Sequence, residues 1–254
     1  MSRDILTFRC AGDLGDCVFT LPIVRAFGGG DYLIEAASYT RVMLTPDKWC
    51  GIDLLFKAQP YINDVREWRR ERAHYNLNDF RARMHDVLRK PHMAGPFLEK
   101  HLSHWMAEAH GLPHSVMDEA WLTVTPKRVA PVVISRAGPG RASHHVYHHP
   151  TFPWHKVWRK YASQAVFVGT PEEHRVFCLT CGEVPHHPTE NLYEAAKVIA
   201  GADLFVGNQS CPHAIAEGLK KNILLEVWPA GPNCLVFRKG VTHWWKNEVE
   251  LPDL

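Results

Sequence analysis

Ala202-Asp203-Leu204-Phe205-Val206-Gly207-Asn208-Gln209-Ser210-Cys211-Pro212-His213 is the stretch that decides the fold. Leu204 to Gly207 is a short apolar run of the kind that forms a buried strand. Asn208, Gln209 and Ser210 make a polar loop, and Pro212 suits the first turn of a helix running to Lys220. A strand that delivers the chain directly into a helix gathers free backbone N–H groups and the positive helix end at one point. That geometry holds a diphosphate with no lysine and no metal. Glu217, one to two turns along the same helix, is placed to accept both hydroxyls of a ribose. Gly-Asn before a helix is also ordinary capping, so the loop by itself leaves both readings open.

Working outward, the second half repeats this alternation. Strands are predicted at Val132-Val133-Ile134, Ala165 to Gly169, Phe177-Cys178-Leu179 and Ile223 to Val227. Helices are predicted over Trp154 to Ser163 and Leu192 to Ala200. Another starts at Thr170-Pro171-Glu172-Glu173, where an N-cap, a first-turn proline and early acids coincide. Short apolar strands separated by helices imply a parallel sheet covered on both faces. The first half begins alike, with a strand from Ile5 to Phe8, a glycine-bearing loop, a helix from Val18 to Phe27 and a strand from Tyr32 to Ala36. Phe97, Leu98, His101, Leu102, Trp105, Met106 and Ala109 recur at helical spacing and read as a packing face. The run Thr125 to Pro131, with two prolines around polar residues, reads as a linker. The expectation is an α/β protein of two facing Rossmann-like domains, 1–125 and 126–254, with a ligand crevice at the carboxyl ends of their strands.

Composition permits this and excludes little else. A chain of 254 residues with 46% hydrophobic residues can fill two cores. Seven cysteines, odd in number and scattered, do not make a disulfide framework. The N-terminus lacks the apolar run of a signal peptide, so cytoplasmic residence without membrane insertion is expected. A net charge of +2 is too mild to announce a polyanion partner. Locally, residues 66–92 set eight arginines and lysines against four acids. This reads either as a solvated face or as an anionic acceptor surface, for which Arg69, Arg70 and Arg72, with Asp13, are the candidate contacts. Oligomeric state is not legible.

Three further features carry chemistry. The loop Cys10-Ala11-Gly12-Asp13-Leu14-Gly15-Asp16-Cys17 sets Asp16 at the mouth of the first strand. There it serves either as a general base for an attacking hydroxyl or as a helix N-cap. Cys178-Leu179-Thr180-Cys181 with His186 and His187 has zinc-ligand types. A single Cys-x-x-Cys is weak, however, and Cys178 falls in a predicted strand, so core or loop packing is the expected role and no metal site is predicted. His144, His145, His148 and His149 sit in a Gly/Pro/His loop facing the expected crevice and read as phosphate or acceptor contacts, or as plain surface. Trp154, Trp244 and Trp245 are placed to stack on a base.

In combination these motifs resemble a known family. Gly15-Asp16 followed by Thr20-Leu21-Pro22, with Phe27 at a leucine position, is similar to the opening motif of the heptosyltransferase-type (family nine) glycosyltransferases. Ala202 to Pro212 is similar to their Ala-Asp-x-x-x-Gly-Asn-Asp-Ser/Thr-Gly-Pro donor loop. Phe152-Pro153 with Trp158 resembles their Trp-Pro…Trp stretch, and Phe167 to Glu173 their Gly-x-Pro-x-Glu turn. Residues 40–125 carry no resemblance. The resemblance implies a glycosyltransferase-B fold, an acceptor on the first domain, a nucleotide-sugar on the second, and no metal requirement. It makes Asp16 the catalytic base. Gln209 replaces the family's aspartate, Cys211 its glycine, and Ala214 stands where a histidine is usual, with His213 one position early. The family's phosphate-binding lysine is also replaced, by His148 and His149 with Arg136 and Arg141 upstream.

The expected protein is therefore an inverting glycosyltransferase with a nucleotide-sugar co-substrate, a UDP-sugar being the first choice, and no other cofactor. Donor contacts are expected from Arg136, Arg141, His149, Gly207, Asn208, Gln209, Ser210, Cys211, Pro212, His213 and Glu217. Two acceptors stand about even, a cell-envelope saccharide and a hydroxymethylated pyrimidine in phage-type DNA, which would have to be flipped into the crevice. The alternative is a non-catalytic nucleotide-sugar binding module.

Overall fold

The first half of the chain folds as β1 (Thr7–Ala11), α1 (Leu14–Ala26), β2 (Gly30–Glu35), α2 (Pro46–Lys57), β3 (Ile62–Glu67), β4 (Tyr75–Asn76) and α3 (Leu102–Ala109). The second continues with β5 (Val132–Ser135), α4 (Trp154–Tyr161), β6 (Ala165–Phe167), α5 (Pro171–Cys181), α6 (Leu192–Gly201), β7 (Leu204–Asn208), α7 (Cys211–Gly218), β8 (Asn222–Glu226) and β9 (Val241–Trp244). The computed structural model describes residues 5–35, 46–80, 100–138, 148–229, 234–244 and 250–254. Phe97, Leu98, Arg141, His144, His145 and Trp245, singled out above, and Arg81, Arg83, Arg89 and Lys90 of the basic 66–92 segment lie outside the described residues.

Two separate sheets form, ordered β3-β2-β1-β4 and β6-β5-β7-β8-β9. Every pairing in both is parallel. The α/β architecture of two Rossmann-like halves is thus as expected, with boundary differences that have local causes. Helix α1 starts at Leu14, four residues before the expected Val18, because Asp13 and Asp16 form a capping box. The strand expected at Phe177-Cys178-Leu179 is instead the body of α5. Thr170 accepts a hydrogen bond from the Glu173 backbone and Glu173 reaches back to Thr170, and the helix so nucleated runs through the three apolar residues. Only one side of it packs: Phe177 is buried whereas Leu179 is 72% exposed.

The two halves share one hydrophobic core. Helix α1 buries every residue from Cys17 to Val24, which a helix does only when covered on more than one side. Its own sheet covers one side. Helix α7 covers another, and the cluster continues through Ala214, Ile215 and Ala216 into Phe205, Ile223 and Leu225. A second cluster, built on Trp154, Val157, Tyr161, Phe167 and Phe177, fills the far face of the second sheet. The segment joining the halves is tied to both. Thr123 N–H donates to Gln59 Oε1 at 2.8 Å, and the Trp121 and Leu122 amides each donate to Gly218 O at 3.0 Å.

Gly207 occupies the tightest approach within the second sheet. A Cβ there would stand 2.4 Å from Ser135 O and 2.8 Å from the Phe205 ring. Gly207→Ala is therefore expected to force β7 away from β5 and to lower stability by about 1–3 kcal/mol. Urea denaturation checks this, and an unchanged midpoint would contradict it.

Candidate functional site

In an open parallel sheet, ligands bind beyond the carboxyl ends of the strands where the strand order reverses direction. In the first sheet that point lies between β1 and β4, where the chain emerges as Gly12-Asp13 beside Asn76 to Asn78. In the second it lies between β5 and β7, where Arg136-Ala137 emerges beside Asn208-Gln209-Ser210. Both points are occupied by residues the sequence singles out.

At the β5/β7 point the Asn208 side chain is fixed. Its Oδ1 accepts from Ala137 N at 3.0 Å and its Nδ2 donates to Ala137 O at 3.1 Å, so the carboxamide mimics a strand partner and ties the two loops together. Ser210, at the N-cap of α7, makes no side-chain cap bond. Its hydroxyl donates to Asn208 O at 3.1 Å instead, so the N-cap side chain does not close the first turn of α7. Helix α7 opens against the start of α1. A Cβ on Gly15 would lie 3.6 Å from both Cys211 N and Cys211 Cα. The Cys211 thiol is pushed up to about 12 by burial and by the Asp13 carboxylate, so it is a neutral wall rather than a nucleophile.

Across this junction stand the two acids. Asp13 is the N-cap of α1, and Asp16, at N3, accepts from Asp13 N through Oδ2 at 3.3 Å. The sequence left Asp16 open between base and N-cap. The cap is Asp13, and Asp16 makes the reciprocal bond, which holds its carboxylate at the helix mouth. Ala11 N donates to Asn78 Oδ1 at 3.1 Å and fixes the entry to this loop.

Other singled-out residues turn inward. Gln209 is 7% exposed; its Oε1 accepts from Trp228 N at 2.7 Å, and it hydrogen-bonds the Cys234 thiol. His213 is fully buried beside Phe19, ring centroids 5.9 Å apart. Burial, with His243 and Arg238 nearby, drives its pKa to about 3, so it is neutral at ordinary pH. Glu217 is 2% exposed and accepts from Arg238 Nη2 at 2.8 Å and from Lys220. Pro212 lies in the first turn of α7. His148 Nε2 bonds Ala137 O at 3.0 Å, and His149 Nδ1 accepts from Thr151 N at 3.2 Å. Arg69, Arg70 and Arg72 are exposed in the turn after β3, with Arg70 at φ 70°. Glu71 stabilises this turn, its Oε2 accepting from Arg69 N at 2.6 Å while Oε1 pairs with Arg66.

The residue that sequence reading missed is Glu226. Arg136 spends its charge on it, with Nε to Oε2 at 2.8 Å and Nη2 to Oε1 at 2.7 Å. A signal was present: a glutamate ending the apolar run Ile223-Leu224-Leu225 is buried only if it is paired. Around the Cys-x-x-Cys motif, Cys178 Sγ lies 3.3 Å from His174 Nε2 on the same helix and Cys181 Sγ accepts from Arg136 Nη1 at 3.5 Å. Among the described residues no group of three or more His, Cys, Asp or Glu is arranged to hold a metal ion, and no helix is long and apolar enough to cross a membrane. The open groove lined by His174, Cys178, Leu179 and Pro185 is on the outside of α5, away from both strand-order reversals.

No protein-family model and no curated protein matches the sequence. Solved structures do match. The E. coli heptosyltransferase WaaC, solved with ADP-2-deoxy-2-fluoro heptose, aligns with a TM-score of 0.55 at 13% identity, covering 94% of this chain and 92% of that one. The glycosyl transferase family 9 protein from Veillonella parvula DSM 2008 aligns with a TM-score of 0.55 at 11% identity, covering 99% of this chain and 90% of that one. Over nearly its whole length, this chain has the heptosyltransferase-like glycosyltransferase-B fold of two Rossmann-like halves.

Proposed function

We propose that this protein transfers a sugar from a nucleotide-sugar to an acceptor hydroxyl, with inversion at the anomeric carbon. The observation that carries this reading is the meeting of two helix starts, the Asp13–Asp16 mouth of α1 against the first turn of α7, whose Ser210 N-cap makes no side-chain cap bond, in the fold of the heptosyltransferases. Asp16 takes the proton of the acceptor hydroxyl, whose oxygen forms the new bond to the anomeric carbon. The bond from that carbon to the diphosphate breaks, and the nucleoside diphosphate leaves with the electron pair. Backbone N–H groups and the dipole of α7 face the growing phosphate charge. Arg141 and His149 stay candidates for the donor side. Arg136, Asn208, Gln209, His213 and Glu217 serve it from behind, by fixing the walls.

The test is release of free nucleoside diphosphate from a panel of ADP- and UDP-sugars, run with and without chelator because the reading includes turnover without a metal. The WaaC neighbour was solved with an ADP-sugar, so the adenine donors belong in the panel beside the expected uridine ones. Binding of these donors with no release from any of them would favour a non-catalytic binding module.

The acceptor is read as a saccharide hydroxyl. The second reading, DNA carrying hydroxymethylated pyrimidines, is favoured by one observation: Arg69, Arg70 and Arg72 are exposed and make no ion pair among the described residues. Each phosphate contact removed by salt weakens DNA binding. Three such contacts predict about a 40-fold loss between 50 and 200 mM salt, on a log–log slope of about −0.9 per contact. A flat salt response, or no DNA binding, leaves the saccharide.

A further inference from the structure

We infer that Glu226 is a positioning residue of the nucleotide site, holding the 149–154 loop against the β5/β7 junction; the inference rests on the nucleotide-sugar reading above. Glu226 ends β8 in register with Asn208 of β7, and its side chain is fully buried. Four donors converge on it. Arg136 supplies two, His149 N donates to Oε1 at 2.9 Å, and Trp154 Nε1 donates to Oε2 at 3.3 Å. One carboxylate thus grips both ends of His149-Pro150-Thr151-Phe152-Pro153-Trp154, a segment with two prolines whose own bonds are short-range, Thr151 N and Phe152 N donating to His149 and Trp154 N to Phe152 O. The Arg136 guanidinium also packs 5.3 Å from the Trp154 ring.

Charge balance would be served by a Glu226–Arg136 pair alone. The two further donors come from the loop, and they are what make the arrangement a support for a site. Asn208 does the same work on the neighbouring strand by holding Ala137. Between them, Asn208 and Glu226 fix three chain segments that emerge at the strand ends: 136–137, 148–154 and 208–211. With Nε and Nη2 on Glu226 and Nη1 on Cys181, three of the five N–H groups of Arg136 are bonded within the wall.

Two variants separate positioning from charge balance, with ADP and UDP titrated calorimetrically and urea midpoints recorded beside them. Glu226→Gln should lower both the midpoint and the affinity. The paired change Arg136→Leu with Glu226→Leu removes both buried charges and should recover the midpoint. It should still bind nucleotide about tenfold or more weakly than the original protein, because the His149 and Trp154 donors have lost their acceptor. Recovery of both properties in the double variant would reduce Glu226 to a counter-ion and overturn the inference, as would unchanged affinity in Glu226→Gln. A double variant that does not fold would assign the pair to the core and overturn it too. If the original protein binds neither ADP nor UDP, the nucleotide-sugar reading itself falls, and this inference with it.

Discussion

Asp16→Asn is expected to lower sugar transfer by about 10²–10⁴-fold, the contribution typical of a positioned general base, while leaving nucleotide affinity within about twofold. The substitution is well suited to the question. Asn keeps an oxygen in place to accept from Asp13 N, the bond that Asp16 Oδ2 makes at 3.3 Å, so the capping box and the start of α1 survive. What disappears is the capacity to take a proton. The measurement is steady-state turnover with whichever donor of the panel reacts, beside calorimetric titration of the nucleotide and a thermal melt. If turnover is undiminished, Asp16 has no part in the chemistry and its role is confined to the helix start. Loss of turnover together with loss of the melt would instead point to damage at α1, and Asp16→Ala, which removes the cap bond as well, would then show the larger drop in stability.

The second large effect is on stability in mild acid. His101 and His213 are both buried, packed on Phe19 from opposite sides of the domain junction. His101 Nδ1 accepts from Ser103 N at 3.0 Å, and among the described residues neither its Nε2 nor either nitrogen of His213 has a hydrogen-bond partner. Burial depresses both pKa values, that of His213 to about 3. Neighbouring His104 and His243 lie at about 4, also through burial. The sign follows from linkage. Above the unfolded histidine pKa of about 6.5 these groups are neutral in both states and cost nothing. Below it the unfolded chain takes up protons that the folded one refuses, so stability falls as pH falls, and it continues to fall until the folded pKa is reached. A histidine so depressed contributes up to about 1.4 kcal/mol per pH unit, so His213 removes roughly 2 kcal/mol between pH 6.5 and 5, and His101 acts in the same direction. For a domain pair of ordinary marginal stability that is a large fraction of the total. Urea midpoints measured across this range should decline steeply, and His213→Leu should flatten the decline by about one proton. Parallel slopes for the original and the variant would show that His213 titrates normally.

The same residues show how far a single sequence carries. The backbone course at 204–218 was readable, because strand, polar loop and proline-started helix are all local signals. The capping boxes at Asp13–Asp16 and Thr170–Glu173 span three residues each and were also within reach. Phe177-Cys178-Leu179 misled because a short apolar run has no period of its own, and the capping signal that begins seven residues upstream at Thr170 overrode it. Side-chain destinations were not readable. Asn208 looked like a ligand contact, yet its partner Ala137 is 71 positions away. Arg136 looked like a phosphate clamp, and its partner Glu226 is 90 positions away. Glu217, singled out for a ribose, meets Arg238, 21 positions further on.

The amino-acid sequence by itself therefore determined the alternating parallel architecture, the two halves and the places where strands hand over to helices, since hydrophobic period and capping chemistry act within a turn or two. Only the tertiary structure decided which polar groups face the junction and which hold it up. A buried charge or amide must find its complement wherever the chain brings one, and packing β5, β7 and β8 side by side gave Asn208 to Ala137 and Arg136 to Glu226. At the mouth, Asp16 holds the start of α1, which meets the start of α7 through Gly15 and Cys211.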